Sequence, residues 1–518
     1  MLSQWWRMSL AFLVALCTTR AGGVHMAFIL PPASPRGAML PVACAALEAG
    51  HNVSFLAYDD DAAKLHGMIP GAKIFSLGST QRPDVSDKMS TIMNIPYEVM
   101  AFSMNIIISL FDTMVGKQLA LAALPVIREL QPDVLCVTSI LPSNYALGEL
   151  VNIPVVGLGF SAPWLFSNIL ELPWSLEPAL GSWYTREEIA SKPALLAWNA
   201  AVRMHGFLFR NTLGFVLHNV MRLQMGLSRL ELSQFESILA NPMVVPSLPE
   251  LTAGFPPLMS TNIVMAGMYD HPMLDGASLS KSAQRDEIVS WLDGYSEKGL
   301  SVLYCAFGSE AVLDVDRAEP LLKAFGSIPV LWVLKTIPPG LPAPPANVFI
   351  TAWSPQKTVL AHPAVKAFLS HGGGNSMREA VAAGVPMLVM PFFGDQPMNA
   401  MIHEELGVAI RVHKNRFTPE SLRRDFERIS TGSYQQRAAD VKSFNDKHVS
   451  LARAVEVVEN AANKRFSMHV KQHHALLLSA PMVLFVVLAC LLRAGCQCCC
   501  QCCCRARLRS ADSKNKTD

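Results

Sequence analysis

Between Trp353 and Asn399 the sequence gathers residues able to hold an anion and several hydroxyl groups. Ser370–Ser376 (Ser-His-Gly-Gly-Gly-Asn-Ser) lies between a strand-like run and a helical run. Three glycines, Gly373 among them, let the backbone approach an anion closely. The helix behind them aims unpaired N–H groups and its positive dipole end at the same point. His371, Asn375 and Ser376 add side-chain donors suited to a diphosphate. Glu379, one turn beyond Asn375, can accept from both hydroxyls of a ribose. Trp353 can stack on a base and Gln356 can pair with its edge, while Asp395 and Gln396 suit the hydroxyls of a sugar. Phe307–Ser309 offers another glycine-plus-hydroxyl turn, with Ser309 as a phosphate donor. A glycine triplet alone more often marks a tight turn than a site; its neighbours carry the reading.

Such residues need strand ends and helix starts to place them. Val24–Leu30 reads as a buried strand, Ala38–Glu48 as a helix and Ala49–Ala57 as turn and second strand, a parallel βαβ unit. Leu130–Phe160 repeats the pattern. Residues 161–240, rich in Trp, Phe, Leu and Met, read as helical and as the lining of an apolar pocket. Asn241–Thr261 carries five prolines and reads as a linker. Five short β-rich runs then alternate with helical stretches, predicting a second doubly wound sheet. The expected class is α/β, with two facing Rossmann-like domains at 23–240 and 262–465 joined by 241–261.

The stretch from Trp353 to Asn399 resembles the donor-binding segment of the UDP-glycosyltransferases, the GT-B family that includes the glucuronosyltransferases. A looser likeness runs from Val24 to about Asn460. The resemblance implies that Trp353 stacks on uracil and Gln356 contacts the nucleoside. It assigns His371, Asn375, Ser376 and Ser309 to phosphates, Glu379 to ribose, and Asp395 with Gln396 to the sugar. It implies transfer of a hexosyl or glucuronosyl group from a UDP-sugar co-substrate to a small lipophilic acceptor, with no cofactor and no metal.

The same resemblance exposes a departure. Family members carry a catalytic His after the first strand, at the position of Pro35, and an orienting Asp at the position of Thr138. A positioned base supplies roughly 10²–10⁴-fold in rate, and neither residue here can act as one. Three readings follow. The acceptor is an amine or acidic nucleophile that needs little base, a base is recruited from Asp59–Asp61 or His66, or the chain binds UDP-sugar without catalysis as a regulatory membrane protein. The acidic run also reads as a solvated loop. A sugar-nucleotide epimerase on the same architecture fits the ends of the chain poorly.

Those ends are apolar. Charged residues are 16% and hydrophobic ones 51% of the 518, and the net charge of +2 points to no nucleic-acid partner. Residues 1–22 read as a signal peptide. Ala475–Leu492 reads as a transmembrane helix, with the basic, Cys-rich tail 493–518 in the cytosol. Seven of the twelve cysteines crowd into Cys496–Cys504, a pattern read as palmitoylation sites, while Cys44, Cys136 and Cys305 read as buried small hydrophobes. Lys514 and Lys516 resemble a dilysine retrieval signal. The expectation is a single-pass type I protein of the endoplasmic reticulum or secretory pathway with a luminal body, and a homodimer as the assembly to test.

Overall fold

The computed structural model describes residues 23–31, 37–79, 93–139, 141–159, 178–230, 241–247, 263–272, 274, 282–308 and 311–463. Those in 23–229 and 241–463 belong to one compact unit.

The first sheet is built from β1 (His25–Ile29), β2 (Asn52–Ala57), β3 (Lys73–Ser76), β4 (Val134–Thr138), β5 (Val155–Leu158), β6 (Met243–Val245) and β7 (Ile263–Met265). Their order is β3-β2-β1-β4-β5-β6-β7, and the paired strands are parallel. Its helices are α1 (Leu40–Glu48), α2 (Asp59–Met68), α3 (Tyr97–Phe111), α4 (Lys117–Leu130), α5 (Pro142–Val151), α6 (Arg186–Ser191), α7 (Pro193–Phe209) and α8 (Phe215–Gln224). Short apolar runs covered by helices on both faces are what an all-parallel sheet requires; β4, for example, is buried at every position.

Two findings differ from the sequence reading. Met243–Val245 forms β6 inside the proline-rich stretch, because Pro242 and Pro246 flank the strand rather than interrupt it. The expected C-terminal transmembrane helix is corrected. Residues 475–492 lie outside the described residues, and among those described the helix long and apolar enough to cross a membrane is mid-chain, Ile106–Leu130. The segments 1–22 and 493–518 also lie outside the described residues.

That mid-chain helix joins α3 to α4 through a π-helical turn, Asp112–Gly116. The wider turn carries Asp112 inward, where its carboxylate accepts from Ser143 N at 3.2 Å and Ser143 Oγ at 2.6 Å, serving the open amides at the start of α5. Gly116 is needed there: a Cβ would stand 2.4 Å from both Asp112 Oδ1 and Ser143 Oγ.

The second sheet runs β10-β9-β8-β11-β12-β13, with β8 (Val302–Ala306), β9 (Val330–Val333), β10 (Val348–Thr351), β11 (Val365–Ser370), β12 (Met387–Val389) and β13 (Ala409–Arg411). Around it lie α9 (Ser282–Ser296), α10 (Val315–Phe325), α11 (Gln356–Leu360), α12 (Gly374–Ala383), α13 (Gln396–Glu405), α14 (Pro419–Ile429) and α15 (Gly432–His448). α16 (Leu451–Ala462) returns to the first sheet, where Ala454, Val455, Val458 and Ala461 join its core. The strand order reverses between β8 and β11, the crevice where doubly wound sheets bind ligands.

Candidate active site

β11 ends at that crevice, and Ser370–Gly373 carries the chain from it into α12. The turn is pinned on several sides. Ser370 O accepts from Met390 N at 2.8 Å, and Ser370 Oγ accepts from Gly372 N at 3.2 Å. Gly372 O accepts from Asn399 Nδ2 at 2.8 Å. Gly372 has φ +82, and a Cβ on it would meet Val389 Cγ1 at 2.8 Å. Only glycine fits there.

The His371 imidazole lies in a glycine cradle. A Cβ on Gly308 would stand 2.8 Å from its Cε1, and one on Gly373 would stand 2.4 Å from its Nε2. Desolvation lowers its pKa to about 4, so at neutral pH the ring is uncharged, with one N–H and one lone pair. Its buried Nδ1 has no hydrogen-bond partner among the described residues. Gly373 caps α12 without a side-chain hydrogen bond, and the first turn of a helix presents its backbone amides toward an anion.

One turn on, Glu379 Oε2 accepts from Gln356 Nε2 at 2.8 Å, and the same amide lies 3.4 Å from Ser376 Oγ. Tyr304 OH holds the other end of Gln356, donating to Oε1 at 3.2 Å, and shares a 2.8 Å bond with Ser354 Oγ. Burial raises the Glu379 pKa, against the lowering effect of Arg378 and of the Gln356 bond. The carboxylate is therefore poised to gain from further donors. Half-buried Trp353 has its carbonyl fixed by Thr351 Oγ1 at 2.9 Å and Gln284 Nε2 at 3.3 Å. Beyond β12, Asp395 Oδ2 accepts from Asn399 Nδ2 at 2.8 Å. Gln396 Oε1 accepts from Phe392 N at 2.8 Å and Phe393 N at 3.1 Å.

The structure thus brings Gln356, Ser376 and Glu379 into one hydrogen-bonded group, with His371, Gly373 and Asn375 at the entry to the same helix. Asp395 reaches that entry through Asn399 and the Gly372 carbonyl, while the Gln396 side chain holds the Phe392 and Phe393 amides. Ser309 lies outside the described residues, as does Pro35. Gly37, two residues beyond Pro35, touches α12: Arg378 Nη1 donates to Gly37 O at 2.6 Å. A Cβ on Gly37 would stand 2.3 Å from Asn375 Oδ1. Thr138 closes β4, fully buried, with no hydrogen-bond partner for Oγ1 among the described residues. Asp59–Asp61 form the first turn of α2, Asp59 accepting from Ser76 Oγ and Asp61 pairing with Lys64 at 3.5 Å. His66 lies in the last turn of that helix.

Tyr304 and Arg378 were not among the sequence candidates. A tyrosine within a strand and an arginine within a helix carry no local mark of a partner 52 or 341 positions away.

Comparison with known proteins agrees with this geometry. Residues 273–510 match the family model described as UDP-glucoronosyl and UDP-glucosyl transferase. Anthocyanidin 3-O-glucosyltransferase 2 of Fragaria ananassa is 34% identical over 153 residues, 28% of this chain and 32% of that protein. The ecdysteroid UDP-glucosyltransferase of Lymantria dispar multicapsid nuclear polyhedrosis virus is 39% identical over 151 residues, 28% and 29% of the two chains. UDP-glycosyltransferase 84B1 of Arabidopsis thaliana is 29% identical over 222 residues, 38% and 47%. The chain spans less than half the length of each of these relatives. Among solved structures, a UDP-glucose:anthocyanidin 3-O-glucosyltransferase in complex with UDP superposes with a TM-score of 0.55 at 18% identity, covering 85% of this chain and 99% of that one. Spinosyn forosaminyltransferase SpnP gives 0.56 at 15%, covering 86% and 100%, so the fold is shared along most of the chain. The stretch 273–510 is thus similar to the UDP-glucoronosyl and UDP-glucosyl transferases, and both sheets share the fold of these glycosyltransferase structures.

Proposed function

We propose that the chain transfers a hexosyl or glucuronosyl group from a UDP-sugar to a small lipophilic acceptor, with an amine or acidic nucleophile favoured. The observation that carries the donor half is the neutral His371 in its glycine cradle at the start of α12, one turn from the Gln356–Glu379 pair. In this reading the diphosphate takes the start of α12 with His371, Asn375 and Ser376. Ribose hydroxyls donate to Glu379, uracil stacks on Trp353 with Gln356 at its side, and Asp395 with Gln396 meets the sugar. As the acceptor bonds to the anomeric carbon, the bond from that carbon to the diphosphate oxygen breaks and UDP leaves with the electron pair. Donors aimed at the diphosphate stabilise the charge that develops on it.

The acceptor half rests on Thr138, whose hydroxyl cannot hold an imidazolium in place. A neutral amine attacks with its lone pair and sheds its proton afterwards, so it suffers less than an alcohol when no base is positioned. With matched apolar acceptors, amine transfer is expected to exceed alcohol transfer by at least about 10²-fold. Pro35→His with Thr138→Asp should narrow that ratio by raising alcohol transfer. Equal rates on both acceptors would overturn this account and indicate a recruited base. No transfer to either, with UDP still bound, would make the chain a UDP-sugar-binding regulatory protein.

We also propose a luminal body in the endoplasmic reticulum, attached to the membrane through the first domain. Ile107, Leu110 and Met114 on the helix Ile106–Leu130, and Leu213, Val216 and Val220 where the π-helical turn Arg210–Gly214 runs into α8, are exposed. An amphipathic helix pair of this kind rests in a lipid interface. Protease protection in sealed microsomes tests the compartment; a body digested without detergent overturns it. Acylation of Cys496–Cys504 and a homodimer are further proposals, read by acyl exchange and by light scattering.

A further inference from the structure

Five residues of the first domain, Met93–Tyr97, are held in the second domain beside the loop that leads to Asp395 and Gln396. The Met93 side chain is fully buried in the second-sheet core that contains Leu303, Cys305 and Trp332. Arg317 Nη2 donates to Met93 O at 3.4 Å and to Asn94 Oδ1, while its guanidinium lies 6.0 Å from the centre of the Phe392 ring. Lys414, only 1% exposed, donates to Ile95 O and to Phe392 O, each at 2.7 Å, with its Nζ 4.6 Å from the Tyr97 ring centre. Tyr97 OH donates to Pro391 O at 2.7 Å, and its ring stacks on Trp183 at 5.1 Å.

These bonds form a connected path. The carbonyls of Pro391 and Phe392 are held by Tyr97 and Lys414, and the amides of Phe392 and Phe393 are held by the Gln396 side chain. A shift of the strap therefore moves the peptide units that orient Gln396. A buried lysine is costly where a methionine would pack freely. Its ammonium supplies directional donors to two carbonyls, one from each domain, that would otherwise be left unpaired.

We propose that Met93–Tyr97 is a strap that sets the 391–396 loop for the donor sugar, with Lys414 and Tyr97 as positioning residues through which the first domain governs which sugar is transferred. This rests on the reading of Asp395 and Gln396 as sugar-facing. It predicts effects on the sugar and not on the nucleotide, which sits on α12 and α11.

The test compares the full chain with Tyr97→Phe and Lys414→Met. UDP affinity is measured by calorimetry. Then kcat and KM are measured for UDP-glucose, UDP-galactose, UDP-xylose and UDP-glucuronate with one acceptor, alongside thermal melts. Tyr97→Phe keeps the ring on Trp183 and should lose roughly two- to tenfold in kcat/KM. Lys414→Met should lose about 10²-fold through misplacement of the loop. Both should leave UDP affinity unchanged, lower kcat more than they raise KM, and change the ratios among the four sugars. Unchanged ratios and kcat with only a lower melting temperature would overturn the strap and leave a purely structural tie. If Lys414→Met fails to fold, Tyr97→Phe decides. If the unmodified chain binds UDP but transfers nothing, the transfer reading fails separately. The strap is then read from UDP-sugar affinity relative to UDP: a ratio altered by Tyr97→Phe supports it, and an unaltered one overturns it.

Discussion

Replacing Glu379 by alanine tests the donor site at its most polar point. In the free protein the carboxylate accepts a 2.8 Å bond from Gln356 and carries a pKa raised chiefly by burial. Ribose hydroxyls would add donors to the charged form. Hydrogen bonds to a charged group contribute about 1.5–3 kcal/mol, so Glu379→Ala should weaken UDP binding by roughly 10- to 150-fold. The pH dependence has a definite sign. Before UDP binds, the folded protein holds more protons than the unfolded chain between pH 4.5 and the raised pKa, so this group's stability contribution falls as pH rises through that window. Ribose donors favour the carboxylate, so UDP binding expels a proton there and affinity rises with pH until Glu379 is ionised. UDP phosphates titrate too, and Glu379→Gln retains their titration without the carboxylate. The difference between the two affinity–pH profiles, measured by calorimetry in buffers of different ionisation heat, isolates Glu379. Unchanged affinity in Glu379→Ala, or parallel profiles, would refute the ribose assignment.

Lys414 should give stability the opposite slope. Burial lowers its pKa from 10.5 to about 7, so the unfolded chain binds more protons between those values and stability rises with pH across them; urea unfolding at several pH values should show this slope in the unmodified chain and lose it in Lys414→Met. Gly373→Ala would place a Cβ 2.4 Å from His371 Nε2, so the ring must leave its cradle. A loss of about 1–3 kcal/mol in stability is expected, with weakened UDP binding by calorimetry; retained binding would remove His371 from the phosphate site.

What could be read from the sequence was local. Gln356, His371, Asn375, Ser376 and Glu379 fall within one strand–loop–helix stretch, so their chemical types and spacing already imply a shared face. The short apolar runs holding β8 to β12 were equally visible, whereas β13, Ala409–Arg411, ends on a charged residue and carries too little pattern to mark a strand. Hydropathy drew attention to 475–492 and passed over Ile106–Leu130, because Asp112 and Lys117 interrupt that run. The first of these turns inward to Ser143 and the second bonds Gln224 at 2.7 Å, pairings no linear scan contains.

Lys414 shows the same limit more sharply. In the sequence it stands in His413-Lys414-Asn415, an ordinary surface tripeptide by composition. It becomes buried only because β13 delivers it beneath a strap more than 300 positions earlier in the chain, with its Nζ bonded to both Ile95 O and Phe392 O. Either carbonyl alone could have been left to solvent; together, buried, they require a donor between them. The groups proposed for the nucleotide are thus supplied by one short stretch, while those that hold the loop beyond it come from both domains. Local pattern therefore points to UDP, and the groups that would choose its sugar are fixed by the way the two sheets are brought together.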